Sequence, residues 1–139
     1  MGNSYGCPDY EGCSLHAMTS AVNALRAAGI FMSVSAGNDG PNCETITAPP
    51  AIEPQVISVG AVDMNDMLAP FSSRGPVTID GKSIRKPDLV APGVGIMGAY
   101  LNNGYRRLSG TSMASPHVSG AVLLMSKLGG KRVLSNKTF

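Results

Sequence analysis

"RRLSGTSMASPHVSGAVLLMSK", residues 106–127, decides how the chain reads. Ser112 sits among small residues in Gly110-Thr111-Ser112-Met113-Ala114, and an apolar run follows Pro116 and His117. Val118, Ala121, Val122, Leu124 and Met125 recur at helical spacing, which predicts a helix from about Ser112 to Leu128, stopped by Gly129-Gly130. With so little polar face, this helix is expected to be central and buried. A serine at a helix start offers its own backbone N–H, backed by the positive end of the helix dipole, to any negative charge that develops there. Its hydroxyl is a weak nucleophile alone and needs a base and a group that orients the base.

The flanking elements come next. Ser14 to Ala28 reads as a helix capped by Ser14, with Leu15, Met18, Ala21, Val22 and Leu25 on one face and Gly29 as its stop. Ile30 to Val34 reads as a short buried strand that delivers Ser35-Ala36-Gly37-Asn38-Asp39-Gly40. Val56 to Val62 and Leu89 to Gly93 read as two more strands. Hairpins are expected about Asp80-Gly81 and about Asn102-Asn103-Gly104. The alternation of helix and strand predicts an α/β fold with parallel strands.

Composition bounds the function classes. The chain has 139 residues, 43% of them hydrophobic and 14% charged, which fits one folded domain with a real core. Residues 1–88 carry nine acids and five bases, and residues 89–139 carry six bases and no acid. Those six bases are scattered rather than clustered, so no nucleic-acid partner is expected. No apolar run is long enough for a membrane span, and the start, Met1-Gly2-Asn3-Ser4-Tyr5, is not a signal peptide. Cys7, Cys13 and Cys43 fit no zinc spacing. Gly93-Val94-Gly95-Ile96-Met97-Gly98 matches a dinucleotide-binding pattern. That site needs a helix opening within the pattern and an acid downstream, and no Asp or Glu follows Asp88.

"VSAGNDGP", "VISVGAVD", "FSSRGP", "KPDLVAPG" and "GTSMASPHVSGAVLLMSK" occur in this order. Together they closely resemble the C-terminal half of the catalytic domain of subtilisin-like serine proteases, the subtilases. The likeness runs from about Asn3 to Lys127, nearly the whole chain, and makes residues 1–139 the C-terminal part of such a domain. GTSMA is not G-x-S-x-G, so an α/β-hydrolase elbow is not indicated. The resemblance implies a partial subtilisin-like parallel sheet with flanking helices, and peptide-bond hydrolysis through an acyl-enzyme on Ser112. It makes Asn38 the side-chain donor of the oxyanion hole, beside the Ser112 backbone N–H. Ser4, Tyr5 and Gly6 match the edge that pairs with the substrate backbone by strand addition. Ser35, Ala36 and Gly37 match a wall of the pocket for the side chain before the scissile bond. Ala48 matches its floor, next to a cis peptide bond preceding Pro50. Tyr5, Ala36 and Ala48 imply an uncharged pocket of moderate size for apolar side chains. His117 matches a structural histidine, and His16, placed on the first helix, matches no catalytic group.

The family order is Asp, His, Ser. No D-[ST]-G stretch and no H-G-T-H-like stretch occurs in this chain. The isolated chain is therefore expected to be proteolytically silent. Its expected partners are a peptide or protein substrate and the missing N-terminal half of the catalytic domain. The alternative is an inactive truncated remnant or a peptide-binding module. No cofactor is expected; the resemblance allows calcium without identifying a site for it. It also implies a secreted or extracellular protein. Cys43 is expected near Cys13 or Cys7, with Cys13–Cys43 the favoured bridge, because parallel neighbours would bring those loops to one sheet edge.

Overall fold

Short apolar strands separated by glycine- and proline-rich loops leave the chain few ways to bury its core. A computed structural model of the protein describes residues 1–14 and 16–128. The elements in chain order are β1 (Gly2–Asn3), α1 (Thr19–Ala27), β2 (Ser33–Ser35), β3 (Ile57–Val62), β4 (Val77–Ile79), β5 (Lys82–Ile84), β6 (Leu89–Pro92), β7 (Ile96–Tyr100), β8 (Gly104–Leu108) and α2 (Thr111–Leu128). A four-stranded sheet runs in the order β1-β2-β3-β6, every pair parallel.

Register shows how the helices flank this sheet. Val34 lies opposite Ser58, so both point to one face, and Val59 points to the other. Val34 packs with Val22 of α1, Ile46, Ile52 and Val56. Val59 and Ala61 pack with Ala114 and Val118 of α2. The two helices therefore cover opposite faces, as in an α/β fold with helices on both sides of a parallel sheet.

Three expectations are corrected. The first helix begins at Thr19 rather than Ser14, and Met18 precedes it without a side-chain cap. Ser14 and His16 stay in the loop before it, and Leu15 lies outside the described residues. Its end is as expected: Gly29 takes φ 77°, while the N–H groups of Gly29 and Ile30 return to the carbonyls of Arg26 and Leu25. The last helix is buried only at its start. Ala114, Ser115 and Val118 are inside, but Leu123 and Leu124 are 66% and 64% exposed, because α2 meets the sheet with its first turns only. The predicted Gly129-Gly130 stop lies outside the described residues.

The third correction concerns the cysteines. Cys7 and Cys13 are bridged, with Cα atoms 5.6 Å apart, and Cys43 is exposed and unbridged. A 3₁₀ turn at Asp9–Glu11, followed by Gly12 at φ 86°, reverses the chain and brings the first two cysteines together locally. This reversal lies within one loop and owes nothing to which strands are neighbours in the sheet. Alkylation of the native chain should therefore modify one thiol, Cys43, and alkylation after reduction and unfolding should modify three. Intact mass reads both numbers.

Both hairpins form. β4–β5 turns at Asp80-Gly81, both at positive φ, and β7–β8 turns through Leu101 to Asn103. The glycine-rich Gly93–Gly98 segment leads from β6 into β7 rather than into a helix.

Candidate active site

The loops at the carboxyl ends of β2 and β6 meet the start of α2. Gly93 makes this contact possible: a Cβ there would lie 2.6 Å from the Ala61 Cβ and 2.8 Å from the Gly110 carbonyl oxygen. Without one, Gly110 N–H donates to the Gly93 carbonyl at 2.8 Å and α2 starts directly over the sheet.

Thr111, fully buried, joins α2 to the loop after β2. Its N–H donates to Asn38 Oδ1 at 2.9 Å, and its hydroxyl donates to the Gly37 carbonyl at 3.2 Å. The Gly37 N–H donates back to Thr111 Oγ1 at 3.2 Å. An N–H requires an acceptor, so Asn38 turns its amide oxygen toward Thr111. Its amide nitrogen is left free, with no protein partner among the described residues. Ser112, the second residue of α2, has no intrahelical acceptor for its own N–H. Two donors thus stand at one loop junction.

The Ser112 hydroxyl donates to the Ser4 carbonyl at 3.4 Å, and the Ser4 hydroxyl donates to the Ser112 carbonyl at 2.9 Å. No carboxylate or imidazole contacts Ser112 Oγ among the described residues. His117 reaches back along its own helix, with Nδ1 2.8 Å from the Met113 carbonyl. That contact makes Nδ1 the protonated nitrogen, since a carbonyl only accepts. His16 lies in a loop with Nε2 3.4 Å from Asp80, far along the chain from α2 and not on α1 as expected.

A small pocket beside this junction is lined by Gly6, Ser35, Ala36, Gly37, Asp39, Thr45, Thr47, Ala48 and Ala51. The expected wall and floor residues come together there, with Pro49-Pro50 cis beneath them. Ser4 and Tyr5 are not in its lining. The expectation of an uncharged pocket is corrected by Asp39. Its N–H donates to Ser73 Oγ at 3.0 Å, and its carboxylate lies beside Gly37. Gly37, at φ 109°, allows this: a Cβ there would fall 2.7 Å from Ser73 Oγ. Among the described residues, no three of His, Cys, Asp and Glu gather closely enough to hold a metal ion.

A model of the subtilase family matches residues 1–138. The chain belongs to the subtilase family. This subtilase chain is 42% identical over 136 residues to the human membrane-bound transcription factor site-1 protease, covering 96% of this chain and 12% of that protein. It is 40% identical over 124 residues to the thermophilic serine proteinase of Bacillus sp. (strain AK1), covering 88% of this chain and 28% of the relative. Its fold is similar to that of the prenylagaramide maturation protease PagA, with a TM-score of 0.68 and 35% identity over 86% of this chain and 42% of the other. The subtilase chain therefore spans between 12% and 42% of the length of these relatives.

Sequence reading passed over Thr111, Ser73 and Asp39. Thr111 carried a signal, since a threonine between Gly110 and Ser112 at a helix start can bond nearby backbone. Asp39 was hidden in an Asn-Asp-Gly segment that reads as a turn.

Proposed function

We propose that this chain is the nucleophile-bearing part of a subtilisin-like serine endopeptidase. Ser112 attacks the scissile carbonyl and carries the acyl group. The Ser112 N–H and the Asn38 amide nitrogen receive the oxyanion. Ser4, Tyr5 and Gly6 pair with the substrate backbone. Ser35, Ala36, Gly37 and Ala48 shape the pocket for the side chain before the scissile bond. Asp39 makes that pocket acidic and suits it to a small side chain or one that carries a donor or cation. The base and its orienting carboxylate come from the remaining part of a catalytic domain. The chain is secreted or extracellular, a placement the Cys7–Cys13 bridge supports. Among the described residues, no helix is long and apolar enough to cross a membrane.

The observation that carries this reading is the anchoring of Asn38. Its oxygen is fixed one residue before Ser112, at 2.9 Å from the Thr111 N–H, so its free nitrogen is preorganised beside the nucleophile. A fluorophosphonate probe tests it. The chain alone should neither label nor cleave peptides. Together with a polypeptide that supplies the rest of the catalytic domain, it should do both. Labelling of the lone chain, or silence of the reconstituted pair, would count against the assignment.

Asn38→Ala in the reconstituted pair should lower kcat by about 10²–10³, the scale of losing one oxyanion donor. KM should move little, because the donor acts on charge that exists only in the transition state. A loss confined to KM would mean that Asn38 merely binds substrate.

A further inference from the structure

We infer that the Ser4 hydroxyl is a positioning residue for Ser112, filling a hydrogen-bond vacancy that Pro116 leaves on the Ser112 carbonyl. For its catalytic consequence this inference rests on the function proposed above. In an α-helix the N–H of each residue donates to the carbonyl four positions earlier. Pro116 lies inside α2 and has no N–H, so the Ser112 carbonyl loses its α-helical donor. The Ser4 hydroxyl supplies the replacement from 108 residues away in sequence, at 2.9 Å.

This bond is the outermost of three contacts on one stripe of α2. Ser112, Ser115 and Ser119 are spaced three and seven apart and so share a helix face. Ser33 on β2 donates to the Ser115 carbonyl at 3.1 Å and meets Ser119 Oγ at 2.6 Å. Gly2 on β1 packs so closely that a Cβ there would fall 2.8 Å from Ser119 Oγ. The inner two contacts seat α2 on the sheet. Only the Ser4 contact acts on the residue that carries the nucleophile. Ser4 directly follows Asn3, which is buried and in register with Val34, so the hydroxyl is carried by the sheet rather than by a free loop. The Ser112 hydroxyl returns to the Ser4 carbonyl at 3.4 Å, closing a reciprocal pair. A peptide that adds as a strand along Ser4-Tyr5-Gly6 is thereby coupled directly to the nucleophile's backbone.

The experiment compares Ser4→Ala, Ser4→Thr and Pro116→Ala in the reconstituted pair, with active sites counted by the fluorophosphonate probe. Ser4→Ala should lower kcat per active site about tenfold, or about 1.4 kcal/mol of transition-state stabilisation, with KM little changed. Ser4→Thr keeps the hydroxyl and should recover most of that loss. Pro116→Ala restores an N–H to the helix, so adding Ser4→Ala to it should cost clearly less than Ser4→Ala alone. Unchanged kcat, a change in KM only, or equal costs in both backgrounds would overturn the inference. Amide hydrogen exchange on the chain alone gives a readout that needs no hydrolysis. Ser4→Ala should speed exchange in the segment 110–116 while the central strands keep their rates, and unchanged exchange there would overturn the coupling. If the wild-type pair does not hydrolyse peptides, the proposed function fails, and the exchange result still decides the role of Ser4.

Discussion

Ser112→Ala in the reconstituted pair is expected to remove probe labelling and to lower kcat by about 10⁶, the scale of losing a triad nucleophile. The remaining rate, roughly 10³–10⁴ above that in water, would come from substrate binding and the oxyanion donors. The fold should not suffer. Among the described residues the Ser112 hydroxyl makes one bond, a long one of 3.4 Å at an exposed edge, while the backbone bonds of Gly110 and Thr111 hold the helix start without it. Circular dichroism and the denaturation midpoint should match the parent chain. Persistent labelling in Ser112→Ala would place the nucleophile elsewhere. Loss of activity together with loss of the fold would assign Ser112 a structural role that its contacts do not indicate.

The parts of the fold legible from sequence are those with local causes. Asp80-Gly81 and the Asn102-Asn103 pair both supply positive φ, so the hairpins follow from turn chemistry. The parallel sheet follows from alternating helical and strand-like runs. The start of α1 was not legible, because a serine before an apolar run is only permissive for a cap. Here the Cys7–Cys13 loop and the turns after it delay the helix to Thr19. The burial of α2 is not legible either: apolar residues all round a helix show that it needs cover, not that it has it. Leu123, Leu124 and Met125 remain half or more exposed. At the candidate site, motif order points to Ser112 and Asn38, but the Thr111 clasp that brings them together depends on a contact between positions 73 residues apart. The consequence of Pro116 was written in the sequence, since a proline four residues after the serine must orphan its carbonyl. Which group would answer that carbonyl could not be read locally.

Asp88→Ala is expected to destabilise the chain by about 3 kcal/mol, the low end for breaking a buried ion pair. Sequence reading treats Lys86-Pro87-Asp88 as loop, and lysine is the residue least expected inside. Yet the Lys86 side chain is 1% exposed, against 29% for Asp88. Its ammonium donates to Asp88 Oδ2 at 2.7 Å and to the Val56 carbonyl at 2.8 Å. The same carboxylate oxygen accepts the Ser58 N–H at 2.7 Å and its hydroxyl at 3.1 Å, which ties the start of β6 to the start of β3. Removing Asp88 leaves a buried cation without its partner, whereas Lys86→Met removes the charge and keeps most of the volume. Lys86→Met should therefore cost less, and the double variant should be more stable than Asp88→Ala alone. Equal costs for the two single variants would mean that shape, not charge, holds this corner. Burial lowers the Lys86 pKa from its ordinary value, and the neighbouring Asp88 and Glu53 only partly offset this. Folded Lys86 thus loses its proton at a lower pH than unfolded Lys86. Between those two values the unfolded chain binds more protons, so stability should rise with pH in the window just below the ordinary lysine pKa of about 10.4. Lys86→Met should flatten that rise. Denaturation midpoints followed across the window decide it, and a slope that survives the substitution would assign the pH dependence to another group.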